Sequence, residues 1–295
     1  MHDALIVACW VHVGAVMTLF GSSLFPLYAC GGVGLARVDR ELPGFTAWSR
    51  PLLIATSLLA LASALAWLML EAAEMSDEPA DALNPHIIGM VLTETRFGMI
   101  WSGHLVLSVA LVAVLIFAAP RSRLGIGLGL ASLLLASLAG VGHALMAIGL
   151  EGAVRLVIHA VHLLAAGAWL GGLVPLAWAL KQARVSRASA PAARILRRFS
   201  DLALMAMTML VASGLINSWF LVGRVEALIS TPYGQTLLLK LALFAGIVTL
   251  AAVNRLVLMP HRILDALFRT VIAEQVLGAG VVGVACVLGT LAPTG

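Results

Sequence analysis

The chain is 295 residues long, 61% hydrophobic and only 11% charged. Soluble domains carry about 25% charged residues, so these proportions exclude a soluble enzyme or a sizeable soluble domain and predict a membrane protein. The formal net charge is +4, from 18 Lys and Arg against 14 Asp and Glu. The basic residues stand mostly between apolar runs, which points to lipid headgroups and not to nucleic acid.

The first apolar run, 4–32, follows only Met1, His2 and Asp3. With no basic segment ahead of it and no cleavage site, it is expected to be retained as a span. It carries His12 about two to three turns in, and Pro26, which is expected to kink it. The second run, 51–72, leads to an acidic connection with Glu71, Glu74, Asp77, Glu78 and Asp81. Asn84-Pro85-His86 then predicts a short interfacial helix leading to Arg96. The third run, 98–119, has His104 near its start, and the fourth, 124–147, has His143 near its end with Met146 three residues on. The fifth, 156–180, opens with His159 and His162 and contains Pro175, a second expected kink. The sixth, 200–222, contains Met205, Met209 and Asn217; the two methionines are expected to pack in the core. The seventh, 235–258, contains Lys240 and Asn254, and the eighth, 270–291, contains Glu274. Each run has the ~20 residues that crossing a bilayer requires. The predicted fold class is therefore all-α, a polytopic bundle of eight transmembrane helices. Asn217 and Asn254 are expected to hydrogen-bond between helices. Glu274 is expected to pair with Arg255 or Arg269, and Lys240 to snorkel toward its headgroup layer. His261 belongs with the basic loops and headgroups.

Loop charge sets the predicted orientation. Arg37, Arg40, Arg50, Arg121, Arg123 and the basic groups around 181–198 and 255–269 fall on one side, whereas Arg96, Arg155, Arg224 and Lys240 fall on the other. The basic side is predicted to face the cytoplasm, leaving both termini outside. The two halves also resemble each other. Thr95 leads to His104 at the third span as Thr231 leads to Lys240 at the seventh, and His12, Ala15 and Gly21 recur in spacing as His162, Ala165 and Gly171. Four spans per half preserve direction, so residues 1–147 and 148–295 are expected to form two parallel four-helix repeats.

Ionisable side chains within apolar spans are costly and mark a pathway or a ligand site. His104, His143, His159 and His162 fall near the outer ends of their spans, with His12 somewhat deeper. His159 and His162, three residues apart, share a helical face. Imidazole suits copper, zinc, nickel and iron, and a thioether such as Met146 shifts preference toward Cu(I). The candidate metal ligands are therefore His143, His162, His159, His104, His12 and Met146. A single b-type haem on His143 with His162 or His104 is the competing reading, since a transmembrane haem needs two axial histidines on facing helices. No thiol metal motif and no disulfide framework is expected, because Cys9, Cys30 and Cys286 lack CxxC spacing. No phosphate-cradling GxxxxGK[ST] motif occurs, so no nucleotide-driven step and no enzymatic activity is expected.

Gly142-His143-Ala144, His162-Leu-Leu-Ala-Ala-Gly-Ala-Trp169-Leu-Gly171-Gly172, Arg198-Phe199-Ser200, Gly214-Leu-Ile-Asn217, Thr231-Pro-Tyr233-Gly234 with Lys240, and Asn254-Arg255 occur in that order. In this series the chain resembles the copper resistance protein D family, most densely over about 140–292. The resemblance implies an eight-span protein of the bacterial inner membrane. It implies import of copper from periplasm to cytoplasm in copper homeostasis and resistance, beside a separate periplasmic partner of the copper resistance protein C type. His143 and His162 fall on the family's pattern; His104, His159 and His12 come from depth and spacing alone. A copper sensor or assembly factor that binds without transporting is the remaining alternative.

Overall fold

The computed structural model describes the backbone of residues 1–32, 34–141, 149–186, 189–222 and 226–292. Twelve α-helices cover these residues, and no strand occurs among them. They are α1 (His2–Ala29), α2 (Leu35–Glu41), α3 (Phe45–Ser76), α4 (Pro85–Glu94), α5 (Arg96–Phe117) and α6 (Pro120–Ser137) in the first half. The second half has α7 (Gly149–Ala166), α8 (Leu173–Ser186), α9 (Ser189–Val222), α10 (Ala227–Ser230), α11 (Pro232–Val253) and α12 (Leu264–Thr290). Eight helical stretches are long and apolar enough to cross a membrane, as the sequence predicts: α1, α3, α5, α6, the joined α7–α8, α9, α11 and α12.

The ends differ from the expected ones where local chemistry extends or breaks a helix. The second span begins at Phe45, with Pro51 inside its second turn. It continues to Ser76, so Glu71 and Glu74 belong to its last turns and not to a loop. Asn84 accepts a hydrogen bond from the His86 amide at 3.1 Å and starts α4, as the sequence predicts. The fourth span ends at Ser137 with a 3-10 turn over Leu138–Gly140. His143 and Met146 lie outside the described residues.

α1 and the fifth span form the centre. α1 packs against α3, α6, α8, α9 and α12 and against a π-helical turn, Gly167–Gly171, that joins α7 to α8. At that turn the backbones approach too closely for side chains. A Cβ on Gly171 would lie 1.9 Å from the Met17 carbonyl oxygen, and one on Gly21 would lie 2.2 Å from the Gly171 carbonyl carbon. Small residues let membrane helices meet this way. Pro175 stands in the first turn of α8, so the expected kink takes the form of this π turn and restart.

Three expectations about side chains change. Cys9 of α1 and Cys286 of α12 form a disulfide with their Cα atoms 6.0 Å apart. Sequence spacing cannot show such a pair, because 277 residues separate its members and only the α1–α12 contact joins them. Met205 and Met209 face outward, 53% and 43% exposed, and leave core packing to Met17. Glu274 is buried and takes neither arginine. Its carboxylate accepts from Asn254 Nδ2 at 2.6 Å, while Asn254 Oδ1 accepts from the Thr270 hydroxyl at 2.5 Å. Arg255 instead pairs with Asp201 at 3.0 Å.

Asn254 thus bonds between helices, as the sequence predicts. Glu274→Ala should lower stability by about 1–3 kcal/mol, since it leaves a buried amide donor unsatisfied. Glu274→Gln keeps an acceptor and should be nearly neutral; thermal melting in detergent compares the two.

Candidate metal centre

The core of the first half holds two imidazoles in direct contact. His12 of α1 and His104 of α5 are 0% and 1% exposed, with their Nε2 atoms 2.9 Å apart. Each lies about 12–15 Å along its helix from the end nearest the chain's N-terminus, at 1.5 Å per residue.

Neighbouring helices fix the far nitrogens. His12 Nδ1 faces the Ala60 carbonyl oxygen at 3.0 Å and Ser63 Oγ at 3.1 Å. The Ser63 hydroxyl already donates to Leu59 at 2.7 Å, so His12 Nδ1 carries the hydrogen and donates to Ala60. His104 Nδ1 lies 2.7 Å from Ser137 Oγ, and that hydroxyl donates to the Leu134 carbonyl oxygen at 2.8 Å. When the Ser137 hydroxyl accepts from His104 Nδ1, both Nε2 atoms present lone pairs to each other; with the opposite His104 tautomer the two rings share one N–H···N hydrogen bond. At 2.9 Å the first arrangement suits a cation held by both nitrogens. With metal–nitrogen bonds of about 2.0–2.1 Å, that separation corresponds to two ligands roughly 90° apart on one ion.

Aromatic rings dry the pair. Trp101 stacks on His104 at 4.8 Å and lies 5.6 Å from His12, and Trp67 meets His12 edge-on at 5.9 Å. The Trp101 indole donates to the Ala64 carbonyl oxygen at 3.1 Å, which fixes the ring. A porphyrin has no room between two rings already in contact, so this pair does not fit a haem. The haem expectation on His143 falls outside the described residues.

His159 and His162, on α7, lie side by side with ring centroids 6.3 Å apart and planes nearly parallel. His162 Nδ1 meets Ser213 Oγ of α9 at 2.9 Å. Lys240, on α11, is partly buried. The six candidate ligands therefore divide. The structure brings His12 and His104 together, sets His159 beside His162, and leaves His143 and Met146 undescribed. Among the described residues no three His, Cys, Asp or Glu side chains gather as a metal cluster.

Sequence reasoning overlooked Ser63, Ser137 and Ser213. One signal was available: Ser63 follows His12 by 51 residues, as Ser213 follows His162. Cys30, at the basic end of the bundle, is buried and unpaired. Burial, with Glu41 adding to it, pushes its thiol up to about 11, so it offers no thiolate at neutral pH.

Eight apolar helices around a dry imidazole pair define a multi-pass membrane protein with a buried polar centre. Residues 1–153 match the family model described as copper resistance protein D-like, N-terminal domain, and residues 193–288 match that described as copper resistance protein D. The chain is 35% identical to the inner membrane protein YebZ of Escherichia coli K12, over 79% of this chain and 81% of that one. It is 34% identical to copper resistance protein D of Pseudomonas syringae pv. tomato, over 83% and 79% respectively. It is also 33% identical to copper transport protein CutJ of Bacillus subtilis, over 71% of this chain but 39% of that longer protein. No solved structure matches this chain. The chain belongs to the copper resistance protein D family.

Proposed function

We propose that this protein binds copper between His12 and His104 and carries it from the periplasm to the cytoplasm across the bacterial inner membrane. The observation that carries this reading is the pair of Nε2 atoms at 2.9 Å, each with its opposite nitrogen already committed to a hydrogen bond. Nitrogen donors of this kind suit copper, and the family and the name of the Bacillus subtilis relative select copper among the metals that imidazole holds. The inner-membrane assignment is supported by the name of the Escherichia coli relative and by the eight apolar helices. Loop charge supports periplasmic termini, so copper reaches His12 and His104 from that side. His143, six residues beyond the Ser137 that holds His104, and Met146 are the ligands proposed to pass it in. A periplasmic partner of the copper resistance protein C type is the proposed source.

Inward passage is proposed along the seam between the halves. Ser22 Oγ and Tyr28 OH are buried there with no hydrogen-bond partner among the described residues, and their oxygen lone pairs can receive a passing cation. Purified protein should bind one copper per chain and support copper uptake into proteoliposomes. Binding without uptake would make it a sensor or assembly factor; no binding by the wild-type chain removes the site. Ser137→Ala should weaken copper affinity about 10–100-fold, because it releases the orientation of His104. Competition titration against a copper chelator checks this. Affinity should also fall as the medium is acidified, since a proton on either Nε2 occupies the ligand lone pair.

A further inference from the structure

The first half's polar centre has a counterpart in the second half, residue by residue. His12 Nδ1 reaches Ser63 at 3.1 Å, and His162 Nδ1 reaches Ser213 at 2.9 Å, across the same 51-residue interval. Each serine hydroxyl donates four residues back along its own helix, Ser63 to Leu59 and Ser213 to Met209. Thr95 caps α5 through the Gly98 amide at 2.9 Å, and Thr231 caps α11 through the Gly234 amide at 3.0 Å. A Cβ on Gly98 would meet the Val91 carbonyl oxygen at 1.9 Å, and one on Gly234 the Ala227 carbonyl oxygen at 2.2 Å. Gly21 and Gly171 pack on each other, each reaching the other half's backbone in the same way, Gly21 to the Gly167 oxygen and Gly171 to the Met17 oxygen. Two copies of one unit, related by a two-fold axis through that contact, account for all of these pairings.

On this correspondence the residue nine positions after the capping threonine is His104 in one half and Lys240 in the other. We propose that the Lys240 ammonium occupies, in the second copy, the place that copper takes between His12 and His104 in the first. The chain therefore holds one copper and not two, with an amine of its own at the position that corresponds to His104. In the first copy two imidazoles face each other and can share a cation; in the second, the position of one imidazole is taken by an amine that brings its own charge. A copper ion approaching His162 would meet a like charge, so the ion is directed to the first half. This rests on the copper reading of the first copy.

Lys240→His tests it. Wild-type protein should bind one equivalent of copper, lost in the His12→Ala, His104→Ala double variant; a wild-type value of zero removes both readings. Lys240→His should then raise binding to two equivalents, and adding His162→Ala should return it to one. One equivalent in Lys240→His with a wild-type melting temperature overturns the proposal while leaving the first site standing. So does a second equivalent that survives His162→Ala. The reciprocal variant His104→Lys guards against misfolding of the first. It should lose copper yet melt within a few degrees of apo wild type; melting below His104→Ala would overturn the equivalence.

Discussion

Replacing Gly171 by alanine should prevent the bundle from assembling. The added methyl would sit 1.9 Å from the Met17 carbonyl oxygen and 2.7 Å from its carbon, and neither is a side chain that can swing away. α1, which bears that carbonyl, is itself held by α3, α6 and α12, so it cannot retreat without opening those contacts. Over-packing by a methyl normally costs about 1–3 kcal/mol. Here both colliding partners are backbone, and a loss above ~4 kcal/mol is expected, a size that few single substitutions reach. Gly21→Ala should behave alike, with its methyl 2.2 Å from the Gly171 carbonyl carbon. Gly14, one helical stretch earlier on the same helix, has nothing within 4 Å of its Cβ position. Gly14→Ala should therefore be neutral or stabilise by about 0.5–1 kcal/mol, since a mid-helix glycine loses more entropy on folding than alanine. Size-exclusion profiles and thermal melts in detergent distinguish the three. A normal melt for Gly171→Ala would show that the seam is looser than described.

The second large effect is expected at His104. His104→Ala removes one of two donors and should weaken copper at least 100-fold, about 2.8 kcal/mol at 1.4 kcal/mol per tenfold. It also removes the stack with Trp101 and leaves Ser137 without its imidazole partner, so the apo protein should itself be less stable by roughly 1–3 kcal/mol. These two losses separate in a melt with and without copper. Wild-type protein at copper one hundred times Kd should gain about 2.7 kcal/mol from the ligand, whereas His104→Ala at the same copper should gain almost nothing. His159→Ala removes a partly exposed ring and should keep the copper-induced gain. The opposite pattern, with the gain lost in His159→Ala and kept in His104→Ala, would move the site to the second half.

The membrane architecture was legible in the sequence because it is a one-dimensional property. Apolar length alone places eight helices, and each expected run overlaps an observed one. The cap at Asn84 and the interhelical role of Asn254 were legible for a similar reason, as short polar side chains in apolar or helix-starting positions have few alternatives. The histidines were legible as unusual, but not as partners. Depth along each helix follows from counting, whereas rotation about the helix axis and the choice of neighbour do not. Counting put His104 and His12 on the periphery of a cluster centred on His143, His159 and His162. Among the described residues, packing makes His12 and His104 the contacting pair, because α1 lies at the middle of the bundle and turns His12 toward α3 and α5.

The sequence by itself determined that this chain is an eight-helix membrane protein whose interior carries imidazole, since hydrophobic length and the scarcity of charge admit no other solvent for it. Tertiary structure alone decided which rings meet, that Cys9 reaches Cys286, and that Glu274 answers Asn254 and not an arginine. Those choices depend on helix rotation and on the close approach at Gly21 and Gly171. A contact of that kind is set by the shapes of two surfaces together, and no property of either stretch read alone contains it.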